Sequence, residues 1–109
     1  MASDEDFARD LEAFKAEYRW SVADRLVEIE SHWTAVQGGA GLDRVHALLR
    51  ALHSIAGSAG TFGMESLGHA AAAAEAWLEP YHERASPPPA HAYSDFEALL
   101  GEVRKHARA

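Results

Sequence analysis

Apolar side chains recur every three or four residues along almost the whole chain, and this spacing constrains the fold more than any other feature. One such series is Val45, Leu48, Leu52, Ile55 and Ala59. A repeat of about 3.6 residues places such side chains on one face of an α-helix. No segment shows the strict alternation that is typical of a half-buried strand. The sequence therefore predicts an all-α protein.

Turn-forming residues divide this pattern into segments. The spacing predicts an antiparallel four-helix bundle with an additional N-terminal helix, at about 4–18, 21–36, 42–61, 64–79 and 93–107. A break near Trp20 is expected because one helix from 4 to 36 would be about 50 Å long. Ser21 and Asp24 fit a second capping box there. Pro80 is expected to end or kink its helix.

Most large apolar residues are predicted to face the core. The N-terminal stripe and the tryptophans belong to this set: Phe7, Leu11, Phe14, Tyr18, Trp20, Trp33 and Trp77. Aromatic residues at helical spacing are more often core than ligand platforms.

Composition limits the function classes. With 109 residues the chain is expected to form one domain, residues 1–109. A net charge of -7 disfavours binding to nucleic acid or to anionic membranes. The lack of cysteine excludes thiolate sites, and no apolar run approaches the roughly 20 residues that span a bilayer. A cytoplasmic protein is expected.

His53 is the candidate functional residue. It lies roughly 110° from the centre of the apolar face of its helix, at the edge of the buried stripe. Gly57 follows one turn later, and Gly60 flanks the ring on its inner side. A glycine inside a helix costs roughly 1 kcal/mol relative to alanine, so two glycines here indicate that something bulky must reach the ring. The alternative is a boundary histidine that merely packs.

The stretch from His53 through Gly57-Ser58 to Gly63, followed by Leu67 and an alanine-rich helix with Glu75, resembles the histidine-containing phosphotransfer (HPt) domain. The resemblance implies a helical bundle whose exposed histidine accepts a phosphoryl group on Nε2 from a receiver-domain aspartate and passes it on. It implies a phosphocarrier rather than an enzyme. The chain would need no cofactor of its own, because Mg²⁺ is expected on the partner receiver. The expected partners are receiver domains of response regulators or hybrid sensor kinases, and the chain is expected to be a monomer.

The resemblance also assigns supporting roles. Glu75 stands where the family often carries Gln or Glu near the ring, and is expected to hold the second ring nitrogen; a solvated surface glutamate is the alternative. The family usually has lysine three residues after the histidine, but here that residue is Ala56. Arg50 and His46, on the outer side of the same helix, are expected to compensate in part. The expected docking surface further includes Ala56, Gly57, Gly60 and Met64.

Three other functions stay open at this point. A degenerate module would bind receivers without being phosphorylated. A kinase-fused module would take phosphate from an ATP-binding domain outside this chain. A metal- or haem-binding bundle would use His46 and His53, which are seven residues apart near one face, but the sequence offers no matching ligand motif on a facing helix.

Overall fold

The computed structural model describes residues 3–108 and folds them into four α-helices. These are α1 (Asp4–Gln37), α2 (Leu42–Ser58), α3 (Glu65–Glu83) and α4 (Tyr93–Ala107). A 3₁₀ turn, Ala59–Phe62, follows α2, and a second one, Ala90–Ala92, precedes α4. No strand occurs within the described range. The predicted all-α four-helix bundle is confirmed.

Contacts between side chains give the direction and register of neighbouring helices. His46 and His53 on α2 contact His82 and Glu75 on α3, respectively. Residue numbers that rise along α2 therefore pair with numbers that fall along α3, so the two helices are antiparallel. The short connection through Gly63 and Met64 requires the same arrangement.

The core contains the apolar faces that the sequence predicts for α2, α3 and α4. Its fully buried members include Val45, Leu48, Leu52, Ile55, Ala59, Leu67, Ala71, Ala74, Leu78, Phe96, Leu100 and Val103. Trp33 enters this core from α1 and packs against Phe96, with ring centroids 4.5 Å apart. Burial of these side chains stabilises the bundle by roughly 1.5–3 kcal/mol for each large aliphatic or aromatic residue.

Small residues let α2 and α3 approach closely beside the candidate site. A Cβ atom added to Gly68 would lie 3.5 Å from the Cβ of Ala59 and 3.7 Å from the carbonyl oxygen of Ala56. Ala71 and Ala74 continue this thin face along α3 and are fully buried. The close approach brings side chains that emerge beside the α2–α3 seam within hydrogen-bonding distance of one another.

A polar network joins α1 to α4. Trp33 donates its indole N–H to Glu97, and Arg104 donates to both Glu97 and Glu30, at 2.9 and 3.0 Å for the Glu30 contacts. Burial lowers the pKa of Arg104, but hydrogen bonds and charge from Glu30 and Glu97 outweigh burial and raise it above its usual value. The guanidinium therefore stays charged and bridges the two helices.

The predicted break near Trp20 is wrong, since α1 is one helix of 34 residues. The capping box at its start is confirmed: Ser3 and Asp6 each accept a hydrogen bond from the backbone N–H of the other. Ser21 and Asp24 begin no second helix. The argument from length fails because the first part of α1 runs beyond the bundle instead of fitting inside it, and the molecule is 56 Å long. The additional N-terminal helix is therefore the first part of α1.

The inward orientation predicted for the N-terminal aromatic stripe is also wrong. Phe7, Leu11 and Phe14 are 68%, 41% and 59% exposed, and Trp20 is 76% exposed. Only Tyr18 reaches the bundle, where its ring stacks on Phe62 at 4.3 Å. Helical periodicity identifies the face on which apolar residues lie, but it does not show whether another helix packs against that face.

Pro80 does not end α3, which continues to Glu83. A proline removes one backbone hydrogen bond and crowds the preceding turn. Side-chain contacts hold the last turn in spite of this cost. Tyr81 packs against Trp77 one turn earlier in the same helix, with ring centroids 5.1 Å apart, and His82 contacts His46 of α2.

Candidate functional site

His53 projects from α2 into solvent beside the seam with α3. Its side chain is 75% exposed, and its Nδ1 atom lies 2.5 Å from Oε2 of Glu75. The Glu75 side chain is only 19% exposed. The ring is therefore fixed at one nitrogen and open to solvent over most of its surface.

The Glu75 contact selects a tautomer for a neutral His53 ring. An ionised carboxylate can only accept, so Nδ1 carries the proton and donates it to Glu75. In a neutral imidazole the other nitrogen then has a free lone pair. In this tautomer Nε2 is the ring nitrogen of His53 that can act as a nucleophile.

A shallow depression beside the ring is lined by α2 and α3. Its lining residues are Leu49, Arg50, His53, Ser54, Glu75 and Glu79. Arg50 supplies the positive charge of this lining. It also borders a second depression, between α1 and α2, which Arg25 and Ser54 share. Glu28 lines this second depression together with Arg25, so its charge is mixed. Arg50 lies on the side of His53 that faces α1, and Glu75 and Glu79 of α3 lie on the other side.

The two glycines near His53 are not required by internal packing. A Cβ atom added to Gly57 or Gly60 would meet no atom within 4 Å. Gly63 is different, because its φ of +80° is a left-handed conformation that favours glycine. The absence of a side chain at Gly57 leaves open space on the outer surface of α2, one turn after His53. Gly60 is likewise exposed, in the 3₁₀ turn that follows α2.

Three other residues predicted from the sequence to support the site do not line the depressions beside His53. His46 turns to α3, where its Nδ1 lies 3.0 Å from Nε2 of His82 and the two rings stack. Ala56 is half-buried and packs against the core. Met64 is half-buried and lines a separate depression at the end of the bundle with His106. The structure therefore groups Glu75 and Arg50 with His53, whereas His46 and Met64 border neither depression that His53 lines.

Sequence reasoning missed three residues that line the depression beside the ring, Leu49, Ser54 and Glu79. Helical spacing carried a signal for each of them. Leu49 lies one turn before His53, Ser54 follows it directly, and Glu79 lies one turn after Glu75.

Residues 3–108 contain no group of three or more His, Asp or Glu side chains positioned to hold a metal ion. In the same range, none of the helices has the length and apolar character needed to cross a membrane. The metal or haem alternative also required His46 to act with His53, and the ring of His46 contacts His82 instead.

Comparison with models of protein families gives one match, to the Hpt domain, over residues 8–106. This range includes all of α2 and α3 and nearly all of α1 and α4. No curated protein matches the chain, and no solved structure does.

Proposed function

We propose, since this chain belongs to the Hpt domain family, that it relays phosphoryl groups between receiver domains on His53. Hpt domains take part in phosphotransfer in two-component signalling and are phosphocarrier modules rather than enzymes in the usual sense. For this chain, the specific proposal is that Nε2 of His53 accepts the group from a receiver aspartate and passes it on.

One observation carries the proposal: His53 combines high exposure with a fixed ring. Its side chain is 75% exposed, and Glu75 accepts a hydrogen bond from Nδ1. Phosphoryl transfer depends mainly on positioning and on charge stabilisation. A ring fixed through one nitrogen offers the other in a constant direction to an approaching partner.

The proposed step balances without an added base. Nε2 donates its lone pair to phosphorus, an N–P bond forms, and the P–O bond to the receiver aspartate breaks to leave a carboxylate. Nε2 carries no proton in this tautomer, so none has to be removed. The phosphorylated ring, still protonated at Nδ1, gains positive charge, which the carboxylate of Glu75 offsets. Mg²⁺ held by the receiver would offset charge on the phosphoryl oxygens during transfer.

Arg50 is proposed to supply the charge that the family's usual lysine would provide. Ala56 occupies the lysine position and has no charge, whereas Arg50 lines the same depression as His53. A guanidinium can bind phosphate oxygens through two parallel N–H donors. Arg50 would therefore contact the phosphoryl group from the α1 side of the ring.

The proposed docking surface is the exposed part of α2 and α3 around His53. Gly57 and Gly60 have no side chain that protrudes from this surface, and the side chain of Ala56 is small. A receiver would bury a modest area here, as expected of a transient signalling contact. We place this activity in the cytoplasm, together with its receiver partners.

The second candidate is a degenerate module that binds receivers without accepting phosphate. Ala56 favours this candidate, because the usual charge near the phosphoryl group is missing at that position. A kinase-fused module remains a third reading of the same site, with a kinase domain as the phosphate donor.

The test is phosphotransfer from a panel of phosphorylated receivers to the wild type, to His53→Gln and to His46→Gln. His46 is the matched control, because it is exposed on the same helix two turns earlier. The proposal predicts label on the wild type and on His46→Gln, none on His53→Gln, and a bond that is labile in acid and stable in alkali. Receiver binding without any label would support the degenerate module instead, and label only from an ATP-dependent kinase would support the kinase-fused one.

A further inference from the structure

Two histidines on neighbouring helices face each other at the α2–α3 seam. His46 of α2 is exposed and His82 of α3 is half-buried, and Nδ1 of His46 lies 3.0 Å from Nε2 of His82. The ring centroids are 5.0 Å apart, so these two nitrogens are the facing atoms of the pair. Neither ring borders the depressions beside His53, and the proposed phosphotransfer does not use them.

The two facing nitrogens share one hydrogen bond. Between neutral imidazoles, one nitrogen donates its proton to the bond and the other accepts it. If the donor ring shifts that proton to its other nitrogen, by exchange with water, each facing nitrogen has a free lone pair. The pair can then offer two nitrogen ligands to one cation with no net change in protonation.

We propose that His46 and His82 together bind one divalent transition-metal ion of the kind that prefers imidazole ligands, such as Cu²⁺, Ni²⁺ or Zn²⁺. This site joins α2 to α3, unlike the metal site considered from the sequence, which would have paired His46 with His53 on one helix. It is independent of the phosphoryl relay, because His53 contacts Glu75 instead and lies two turns away along α2.

The separation of the two nitrogens matches that of adjacent ligands on one metal ion. Metal–nitrogen bonds of about 2.0–2.1 Å that meet at about 90–110° place the nitrogens about 2.8–3.4 Å apart. The observed distance of 3.0 Å lies within this range. Each lone pair must turn about 35–45° away from the line between the nitrogens to point at the ion. The outer side-chain torsion of histidine has broad minima, so the rings can turn without movement of either helix.

The backbones that carry the two rings are already fixed. Residue 46 lies opposite residue 82 in the same antiparallel register that sets residue 53 opposite residue 75. Both histidines lie inside helices, because α3 continues through Pro80 to Glu83. Binding of an ion therefore orders only two side chains, which keeps its entropic cost low.

The charge around the pair does not repel a cation. Positions three or four residues from a histidine share its helix face. Asp43 and Glu79 occupy such positions before His46 and His82, and Arg50 occupies one after His46. Two negative charges thus stand against one positive charge, on a chain whose net charge is -7.

Water is expected to complete the coordination of the ion. Among residues 3–108, no group of three His, Asp or Glu side chains is positioned to hold a metal ion. A four-coordinate ion would therefore keep two positions for water. Such a site binds less tightly than one with four protein ligands, but more tightly than a single surface histidine, because the second ring acts as an intramolecular ligand. Mg²⁺ prefers oxygen ligands and is expected not to compete.

Isothermal titration calorimetry of the tag-free full chain, with metal at about 1 µM to about 1 mM, tests the site. One Zn²⁺ ion per chain is expected to bind, Cu²⁺ is expected to bind more tightly than Ni²⁺ or Zn²⁺, and Mg²⁺ is expected to leave Zn²⁺ binding unchanged. His46→Gln and His82→Gln are each expected to raise the dissociation constant for Zn²⁺ at least about tenfold.

The matched control is His106→Gln. His106 also contacts a surface side chain, since its Nε2 lies 3.4 Å from Oε2 of Glu102 on the same helix. This variant is expected to keep the wild-type dissociation constant, because a single histidine with one weakly placed carboxylate does not offer two facing nitrogens.

Thermal stability gives a second readout that does not depend on heats of binding. An ion held by both α2 and α3 stabilises only the folded chain. Zn²⁺ at about 100 times its dissociation constant is expected to raise the melting temperature of the wild type by about 5–15 °C. The rise is expected to be much smaller in His46→Gln and His82→Gln, whose metal-free circular dichroism spectra check that they remain folded.

Three outcomes would overturn the proposal. The first is the absence of Cu²⁺, Ni²⁺ and Zn²⁺ binding below about 1 mM. The second is binding that persists unchanged in His46→Gln or His82→Gln, since the ion would then use another site. The third is a bound Zn²⁺ that shifts the imidazole ¹⁵N signals of His53 rather than those of His46 and His82, because the ion would then occupy the phosphoacceptor pair.

Discussion

Substitution of Gly57 is expected to raise stability and to slow phosphotransfer, and the two effects have separate causes. Gly57 lies in α2 and is exposed, and an added Cβ would meet no atom within 4 Å. Gly57→Ala therefore carries no steric penalty and gains the helix preference of alanine, about 0.5–1 kcal/mol in the free energy of unfolding. For a chain of this length, that gain corresponds to a rise in melting temperature of about 2–6 °C.

The matched control is Gly101 in α4. It is also inside a helix, an added Cβ would also meet no atom within 4 Å, and it lines neither depression that His53 borders. Gly101→Ala is expected to stabilise the protein by the same amount as Gly57→Ala. Thermal melts by circular dichroism compare the two variants directly.

Larger side chains separate the effect on stability from the effect on docking. Gly57→Leu places a bulky group one turn from His53, on the surface proposed for the receiver, whereas Gly101→Leu places the same group elsewhere. A misplacement of about 1 Å in the reacting groups can cost up to about a hundredfold in rate. We expect phosphotransfer to Gly57→Leu to be at least about tenfold slower than to wild type, and transfer to Gly101→Leu to be unchanged.

The measurement is the initial rate of transfer from one phosphorylated receiver, with all variants at equal concentration. Equal rates for wild type and Gly57→Leu would refute the reasoning, because the open space beside His53 would then have no role in docking. A loss of stability in Gly57→Ala, without the same loss in Gly101→Ala, would refute the inference that packing does not require Gly57.

Three further predictions concern the charges of the site and of the bundle. Arg50→Ala is expected to slow phosphotransfer by about tenfold, equivalent to about 1.4 kcal/mol, and Ala56→Lys in that background is expected to restore most of the rate; an unchanged rate in Arg50→Ala contradicts its role. Glu75→Gln keeps an acceptor for Nδ1 but removes the negative charge, so it is expected to slow transfer and shorten the lifetime of the phosphorylated form without changing the melting temperature by more than a few degrees. Arg104→Met removes the bridge between α1 and α4 and is expected to lower the free energy of unfolding by about 1 kcal/mol in urea titrations, with transfer rates unaffected; wild-type stability in this variant would show that the bridge contributes nothing.

The spacing of apolar residues was sufficient to predict the helices whose apolar faces are buried in the bundle. The spacing of Val45, Leu48 and Ile55 gives the buried face of α2 correctly, and α4 begins and ends at the predicted residues. These predictions succeed because a helix with an apolar stripe gains most of its stability by burying that stripe.

The same reasoning fails where the apolar stripe has no partner within the chain. Phe7 and Phe14 repeat as regularly as core residues do, yet they lie above the end of the bundle. Nothing in a single helical segment specifies how many helices surround it. The position of Pro80 inside α3 has a similar cause, because contacts of Tyr81 and His82 with other residues hold the last turn.

The contact of His46 with His82 could have been predicted from the sequence. Once Glu75 is paired with His53, an antiparallel register places residue 82 opposite residue 46. The spacing of seven places His46 and His53 near one face of α2, but their rings contact different residues of α3. The orientation of the His53 ring, by contrast, depends on the close approach of α2 and α3 at Gly68, which only the assembled bundle shows.

The central claim is that Nε2 of His53 carries the phosphoryl group, and NMR of the phosphorylated protein tests it most directly. The chain has seven histidines, each of which gives its own imidazole ¹⁵N signals. The account predicts coupling of ³¹P to Nε2 of His53, with a proton retained at Nδ1 beside Glu75. Phosphorus on Nδ1 of His53, or on any other histidine, would contradict it.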